Sequence, residues 1–280
     1  MFENTSGTFT GHDGGEIFWQ RWSSGRVPTA AVVIAHGVSE HSGRYAHVAA
    51  RLNDGGYDVW ALDHRGHGRS DGGSANIGRI ATAVADIGTA VGMARAEAPD
   101  GKAFLLGHSM GGALALDFAL DRQDELAGLV LSAPATDLEA ASRLELLAGR
   151  VLSAVSPNAG VFDVDPDSVS RDPQVVRDYV SDPLNHHEKL PARTVSELAR
   201  VIGGFPARLP GLTLPLLVMV GTADRLVPPA ASYMVHELAG SADKRLVTYK
   251  GLFHEIMNEP EQERVMNDLV AWLDDRAAAA

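Results

Sequence analysis

The sequence predicts an α/β fold: a mostly parallel central sheet flanked by helices, with a helical cap inserted over one end. Three observations predict it. From residue 30 onward, apolar runs of strand length alternate with helix-like stretches, the pattern of a sheet covered on both faces. Gly107-His108-Ser109-Met110-Gly111 lies between an apolar run (Phe104, Leu105, Leu106) and an alanine- and leucine-rich run without proline, so it reads as a strand-to-helix turn. Between Pro134 and Pro210 the alternation lapses, and a structureless loop of that length does not suit a compact domain.

In order, residues 7–22 alternate around Gly14-Gly15, with Phe9 before the turn and Ile17, Trp19 and Trp22 after it, which predicts an antiparallel hairpin at a sheet edge. Ala30–Ala35 is a buried-type strand, followed by a loop and a helix around Arg44–Leu52. Tyr57–Leu62 is the next strand, and it runs into Asp63-His64-Arg65-Gly66-His67-Gly68-Arg69-Ser70. A long helix spans about Ala75–Glu97 and stops at Pro99. The strand and helix on either side of Ser109 follow, then strands at Ala127–Ser132, Leu214–Val220 and Arg245–Tyr249, and a final amphipathic helix over Glu261–Leu273. The expected organisation is a core of residues 1–133 and 211–276 with a helical cap at 134–210, over the carboxyl ends of the strands where ligands bind. Within the cap, Leu144, Leu147, Val151 and Val155 recur at helical spacing; they either pack on the main domain or line a lipid entrance. The terminal alanines Ala277 to Ala280 read as a frayed end.

Composition removes several classes. A formal net charge of −12 argues against a nucleic-acid partner, which needs a basic face. With no cysteine there is no disulfide, thiolate metal site or thiol nucleophile. The N-terminal residues lack the basic and apolar regions of a signal peptide, and no apolar run approaches the roughly 18 residues that span a bilayer. A soluble, cytoplasmic protein is expected, with peripheral membrane contact through the cap left open.

Glycine two residues before and after Ser109 spares the reversing chain a Cβ clash, and the helix that follows aims free N–H groups at the space above the hydroxyl. A serine hydroxyl needs a base in reach and a carboxylate to orient that base. Leu216–Val220 leads through Gly221 to Asp224, ahead of Pro228-Pro229, and His254 follows the last strand in Lys250-Gly251-Leu252-Phe253-His254-Glu255. The chain order serine, acid, histidine, with each residue past a strand end, assigns Ser109 as nucleophile, His254 as base and Asp224 as orienting carboxylate. The backbone N–H groups of Met110 and Val38 are the expected oxyanion donors. His36 reads as a structural brace of the loop, and Asp63 and Arg65 as holding strand ends. His254-Glu255-Ile256-Met257-Asn258 lacks the second histidine of a zinc helix, Gly66–Asp71 lacks the last glycine of a dinucleotide fingerprint, and His186-His187-Glu188 suits a solvated surface. No metal or cofactor is expected.

Together these residues resemble the monoacylglycerol lipases of the α/β-hydrolase superfamily, the bacterial and particularly the mycobacterial members in the cap and C-terminal segments. The resemblance runs nearly the whole chain and rests on His36-Gly-x-x-Glu40-His41-Ser42-Gly43-Arg44-Tyr45, Asp63-x-Arg65-Gly66-His67-Gly68-x-Ser70, Gly107–Gly112 and Tyr179-Val180-Ser181-Asp182-Pro183-Leu184. It implies hydrolysis of a monoacylglycerol to fatty acid and glycerol, with an apolar acyl tunnel under the cap. It also implies that Glu40, Arg44 and Tyr179 organise or bind the glycerol end; a structural Glu40–Arg44 ion pair bracing the oxyanion loop is the equal alternative. Two departures from the mammalian members stand out: there is no cysteine, and Met257 stands where they carry a second histidine. A broader carboxylesterase, lysophospholipase or thioesterase uses the same triad. A non-catalytic scaffold of this fold would typically have lost a triad member.

Overall fold

A computed structural model describes residues 3–23, 25–99, 101–137 and 143–277, without the side chains of 143–148. The chain runs β1 (Glu3–Thr10), β2 (Glu16–Ser23), β3 (Ala30–Ala35), α1 (Ala46–Asp54), β4 (Tyr57–Leu62), α2 (Ile80–Glu97), β5 (Ala103–His108), α3 (Met110–Arg122) and β6 (Leu126–Ser132). It continues as α4 (Arg143–Val155), β7 (Gly160–Phe162), α5 (Pro173–Ser181), β8 (Leu190–Pro191), α6 (Ala192–Ile202) and α7 (Phe205–Arg208). It closes with β9 (Leu216–Gly221), α8 (Pro229–Leu238), β10 (Lys244–Tyr249) and α9 (Gln262–Ala277).

Among the described residues, eight strands form one sheet in the order β1-β2-β4-β3-β5-β6-β9-β10. The edge hairpin joins antiparallel to β4, and every other pairing in the sheet is parallel. The Ala-Ala-Val-Val-Ile-Ala run of β3 is buried at every position because helices cover both faces. Alternation along the strands divides the core: Val33, Ala35, Leu105, Leu131 and Val218 meet α2 and α3, while Val32, Ile34, Phe104, Leu106 and Leu217 meet α1 and α9. No helix among the described residues is long and apolar enough to cross a membrane.

The long second helix starts at Ile80, not near Ala75. Ala75 and Gly78 adopt positive φ, and the Ile77 and Ile80 N–H groups donate to Thr194 Oγ1 and Glu197 Oε2 of α6. A carboxylate from a distant helix thus caps this end, which local sequence does not reveal. Helix α8 was not anticipated; Pro229 occupies its first turn, where a missing N–H costs nothing.

Between β6 and β9 the chain forms α4 to α7 and the small antiparallel β7–β8 pair. Helix α4 packs on α6. The packing expected of the stripe is absent where it is described: Val151 is 58 % and Val155 76 % exposed, whereas Ser153 is buried. Leu144 and Leu147 lie outside the described side chains. At the end of this segment Phe205 and Leu209 are fully buried in the α2–α3 side of the main core.

Candidate active site

Ser109 caps α3 with φ 52° and ψ −118°, a left-handed backbone that a non-glycine residue rarely adopts. Packing holds it there: its N–H donates to Ser132 O at 3.0 Å and its carbonyl accepts from Ala135 N at 3.0 Å. A Cβ on Gly107 would come within 2.7 Å of the Ala115 Cβ, and one on Gly111 would run into the carbonyls of Ala35 and His36. These glycines let α3 start directly against the end of β3. The N–H of Met110, the first helical residue, therefore has no intrahelical acceptor.

Asp224 lies past the end of β9, and its Oδ1 accepts from the Leu226 and Val227 N–H groups at 2.9 and 3.0 Å. Its Oδ2 accepts from His254 Nδ1 at 2.7 Å, leaving Nε2 as the unprotonated ring nitrogen. Gly221 makes this meeting possible. A side chain there would strike the Leu252 and Phe253 carbonyls, and the Ala223 N–H donates to Leu252 O at 3.0 Å. Burial alone would lower the pKa of His254, but the Asp224 carboxylate, with Glu255 and Glu40 further off, raises it above the ordinary histidine value. The His108 ring lies beside it, tilted by 51° at 4.7 Å between ring centroids, and is pushed down to about 4 by burial and by His254.

The loop after β3 is held from three sides. His36 donates from Nδ1 to Gly37 O at 2.7 Å and accepts the His64 N–H on Nε2 at 2.9 Å. Asp63, fully buried, accepts from the Ser42 N–H and hydroxyl and from the Arg69 N–H. Glu40 Oε1 accepts from the Gly37 N–H at 2.6 Å and from the Tyr45 hydroxyl at 2.8 Å. Ser39 takes φ 64°, and its carbonyl accepts from the His186 N–H at 3.1 Å and from the Tyr179 hydroxyl at 3.5 Å. Arg44 joins Glu40 to Glu255, a residue set aside in the sequence as part of an incomplete zinc pattern.

Ser109, His254, Val38 and Met110 line one cavity of about 370 Å³. Its walls are mostly apolar: Val195, Leu198, Ala199 and Ile202 of α6, with Phe162 and Leu226. Glu40, Tyr179 and Glu255 border it, whereas Arg44 does not. The structure thus brings together Ser109, Asp224, His254, Val38 and Met110, and sets Arg44 behind Tyr179, its guanidinium 4.9 Å from the ring centroid. Sequence reading missed Glu255, His108 and the α6 wall. A lone charge in Leu-Phe-His-Glu-Ile-Met was the available signal for Glu255. His186 bonds Ser74 and His187 bonds the Asp182 carbonyl, and no cluster among the described residues is built to hold a metal ion.

Comparison with known proteins agrees with this fold. Residues 26–261 match the Hydrolase_4 family, described as serine aminopeptidase, S33. The chain is 40 % identical to a monoacylglycerol lipase of Mycolicibacterium smegmatis over 95 % of each chain. It is 36 % identical to a monoglyceride lipase of Homo sapiens, over 96 % of this chain and 90 % of the other. The crystal structure of a Paleococcus ferrophilus monoacylglycerol lipase superposes with a TM-score of 0.81 at 28 % identity, over 99 % of both chains. The chain belongs to the α/β-hydrolase superfamily, as a member of the Hydrolase_4 family and a relative of the monoacylglycerol lipases.

Proposed function

We propose that the protein is a serine carboxylic ester hydrolase that cleaves monoacylglycerols to fatty acid and glycerol. The observation that carries this reading is one apolar cavity of about 370 Å³ with Ser109 and His254 in its wall. That volume is at the small end for ligand sites, about 300–1,000 Å³, and accommodates one acyl chain, not three. In this mechanism His254 Nε2 removes the Ser109 proton as Oγ attacks the ester carbonyl. The Val38 and Met110 N–H groups receive the oxyanion, and Asp224 stabilises the imidazolium. His254 then protonates the departing glycerol oxygen, and a water activated by the same nitrogen releases the fatty acid from Ser109. Residues 134–210 act as the cap, with Glu40 and Tyr179 at the polar end of the site.

Relative kcat/KM on mono-, di- and triacylglycerols tests the substrate. A strong preference for the first is expected, and comparable turnover of triacylglycerol emulsions defeats the reading. Labelling by a fluorophosphonate tests the serine hydrolase chemistry separately. The raised pKa of His254 gives a further expectation. The neutral ring is the base, so kcat/KM rises with pH through a group above the usual histidine value of about 6.5. A profile flat from pH 5 to 9 with chemistry rate-limiting contradicts this.

The cap wall predicts a contrast. Each buried methylene contributes roughly 0.8 kcal/mol, so longer acyl chains gain until the cavity is filled. Leu198→Asp in the α6 wall should lower kcat/KM for long chains more than for short ones, and Val151→Asp should leave the long-to-short ratio unchanged in solution. We further propose that exposed Val151, Val155 and Phe162 make peripheral contact with a lipid surface, because Phe162 also lines the cavity. Vesicle binding lost in the double variant Val151→Asp/Val155→Asp supports that contact; unchanged binding excludes it.

A further inference from the structure

The loops carrying His254 and Val38 are far apart in sequence, and Arg44 stands between them. Its Nη1 donates to Glu40 Oε2 and to Glu255 Oε1, both at 2.7 Å, and its Nη2 donates to Glu255 Oε2 at 2.7 Å. Through the other oxygen of Glu40 the chain of bonds reaches the Gly37 N–H, one residue before Val38. At the opposite end Glu255 directly follows His254, is 6 % exposed, and also accepts from Asn258 Nδ2 at 2.8 Å. We propose that Arg44 and Glu255 are positioning residues: their buried bridge holds the His254 loop in register with the oxyanion loop and so fixes the base relative to the oxyanion donors.

Two observations separate this role from contact with the alcohol part of a substrate. Three of the five guanidinium N–H groups are already donated to carboxylates, and the Cζ lies 4.9 Å from the Tyr179 ring centroid. Moreover, Glu40, Tyr179 and Glu255 border the cavity while Arg44 sits behind them. A bidentate Arg–carboxylate pair fixes direction as well as distance, which a lysine in the same place does not.

The bridge also has an electrostatic consequence. His254 is faced by Asp224 from the β9 end, His108 from β5, Glu255 on its own loop and Glu40 from the oxyanion loop, with Arg44 beyond them. Asp137 and Tyr179 border the same cavity. Two carboxylates share one guanidinium, so the pair of loops presents excess negative charge to the imidazolium. Burial would raise the Glu255 carboxyl, but the Arg44 guanidinium holds it well below the usual carboxylate range, so it stays charged wherever the enzyme works.

The inference rests on Ser109 and His254 as nucleophile and base, which fluorophosphonate labelling of the wild-type protein checks independently. Wild type, Arg44→Lys and Glu255→Gln are compared on a monoacylglycerol and on p-nitrophenyl butyrate, which has no glycerol, alongside labelling rate and Tm. Arg44→Lys should lower kcat about 100-fold on both esters alike, the effect of a small misplacement, with KM nearly unchanged. Glu255→Gln should move the acid limb of the pH–rate and pH–labelling profiles down by about one unit, since the imidazolium loses a nearby negative charge. It keeps the side-chain shape and one acceptor, and its pH profile decides the matter where Arg44→Lys does not fold. A loss confined to the monoacylglycerol and expressed as a higher KM makes Arg44 an alcohol ligand and overturns the proposal. A lowered Tm with the acid limb unmoved in Glu255→Gln reduces the bridge to fold stability and overturns it equally.

Discussion

Replacing Ser109 by alanine is expected to lower kcat on a monoacylglycerol by on the order of 10⁶, and His254→Ala by a similar factor, because nucleophile and base act as one unit. Asp224→Asn should cost roughly 10⁴. The smaller figure follows from the geometry. The asparagine carbonyl can still accept from the Leu226 and Val227 N–H groups, so the turn survives, but its amide then faces His254 Nδ1. Two donors cannot meet, so the ring turns its proton toward Ser109 and loses the free nitrogen that makes it a base. Single-turnover rates and fluorophosphonate labelling measure all three variants. Retention of a tenth of the activity by Ser109→Ala would assign the nucleophile elsewhere.

Below neutral pH the protein should lose several kcal/mol of stability. His36, His64, His67 and His108 are all buried and neutral: burial pushes His64 to about 3 and His67 and His108 to about 4, and His36 well below its ordinary value. His36 and His64 are 4.3 Å apart between ring centroids, so charging one further opposes charging the other. The unfolded chain takes up these protons near pH 6.5 and the folded chain only far lower. Stability is therefore complete above about pH 6.5 and falls as pH drops toward 4, by about 2 kcal/mol at pH 5 for each of His64, His67 and His108, with His36 acting in the same direction. His254, with its raised pKa, works in the opposite sense but is one group against four. Urea unfolding at pH 7.5 and pH 5 measures the difference. Both ring nitrogens of His64 are buried without a partner among the described residues, so His64→Phe should fold at pH 7.5 with undiminished stability and flatten the pH slope by about one proton. A slope unchanged in that variant would remove His64 from the cause.

Strands β3 and β4 were legible to the residue, since a run such as Ala30–Ala35 buried on both faces has no competing reading at that length. So was the Gly107–Gly111 turn, whose glycines meet backbone atoms of β3 and α3. The positions of Asp224 and His254 past strand ends were legible from chain order; their 2.7 Å contact required the fold. What failed was whatever one element decides for another. Helix α2 begins at Ile80, where Glu197 accepts its first N–H and Thr194 holds the loop before it, both from over a hundred residues away. Val151 and Val155 have helical spacing but face solvent because α4 meets α6 by another side, and spacing gives a stripe without saying what covers it. Glu255 was passed over because a carboxylate beside a histidine suggested a metal, while the cation that satisfies it lies at Arg44.

The segment between β6 and β9 is tied to the reaction centre unevenly. The Glu255 N–H donates to Val169 O, Ser170 donates to Asn258 O, Arg171 grips buried Glu259, and Asp182 accepts from His41. On the side of this segment all of these bonds come from residues 169–182, and with Tyr179 and His186 on Ser39 they bind that stretch to the loops carrying His254 and Val38. Helix α6 supplies the apolar wall, and its described polar tethers run to the start of α2 and the loop before it, and to the end of α4 and the turn after it. For transplantation between relatives the segment is thus two parts with different tolerances. On the proposed function, side chains on α6 are expected to tolerate exchange to suit new acyl groups while the loops carrying His254 and Val38 stay put. Residues 169–186 travel only together with the loops they hold, so a graft that cuts between them would carry selectivity without turnover.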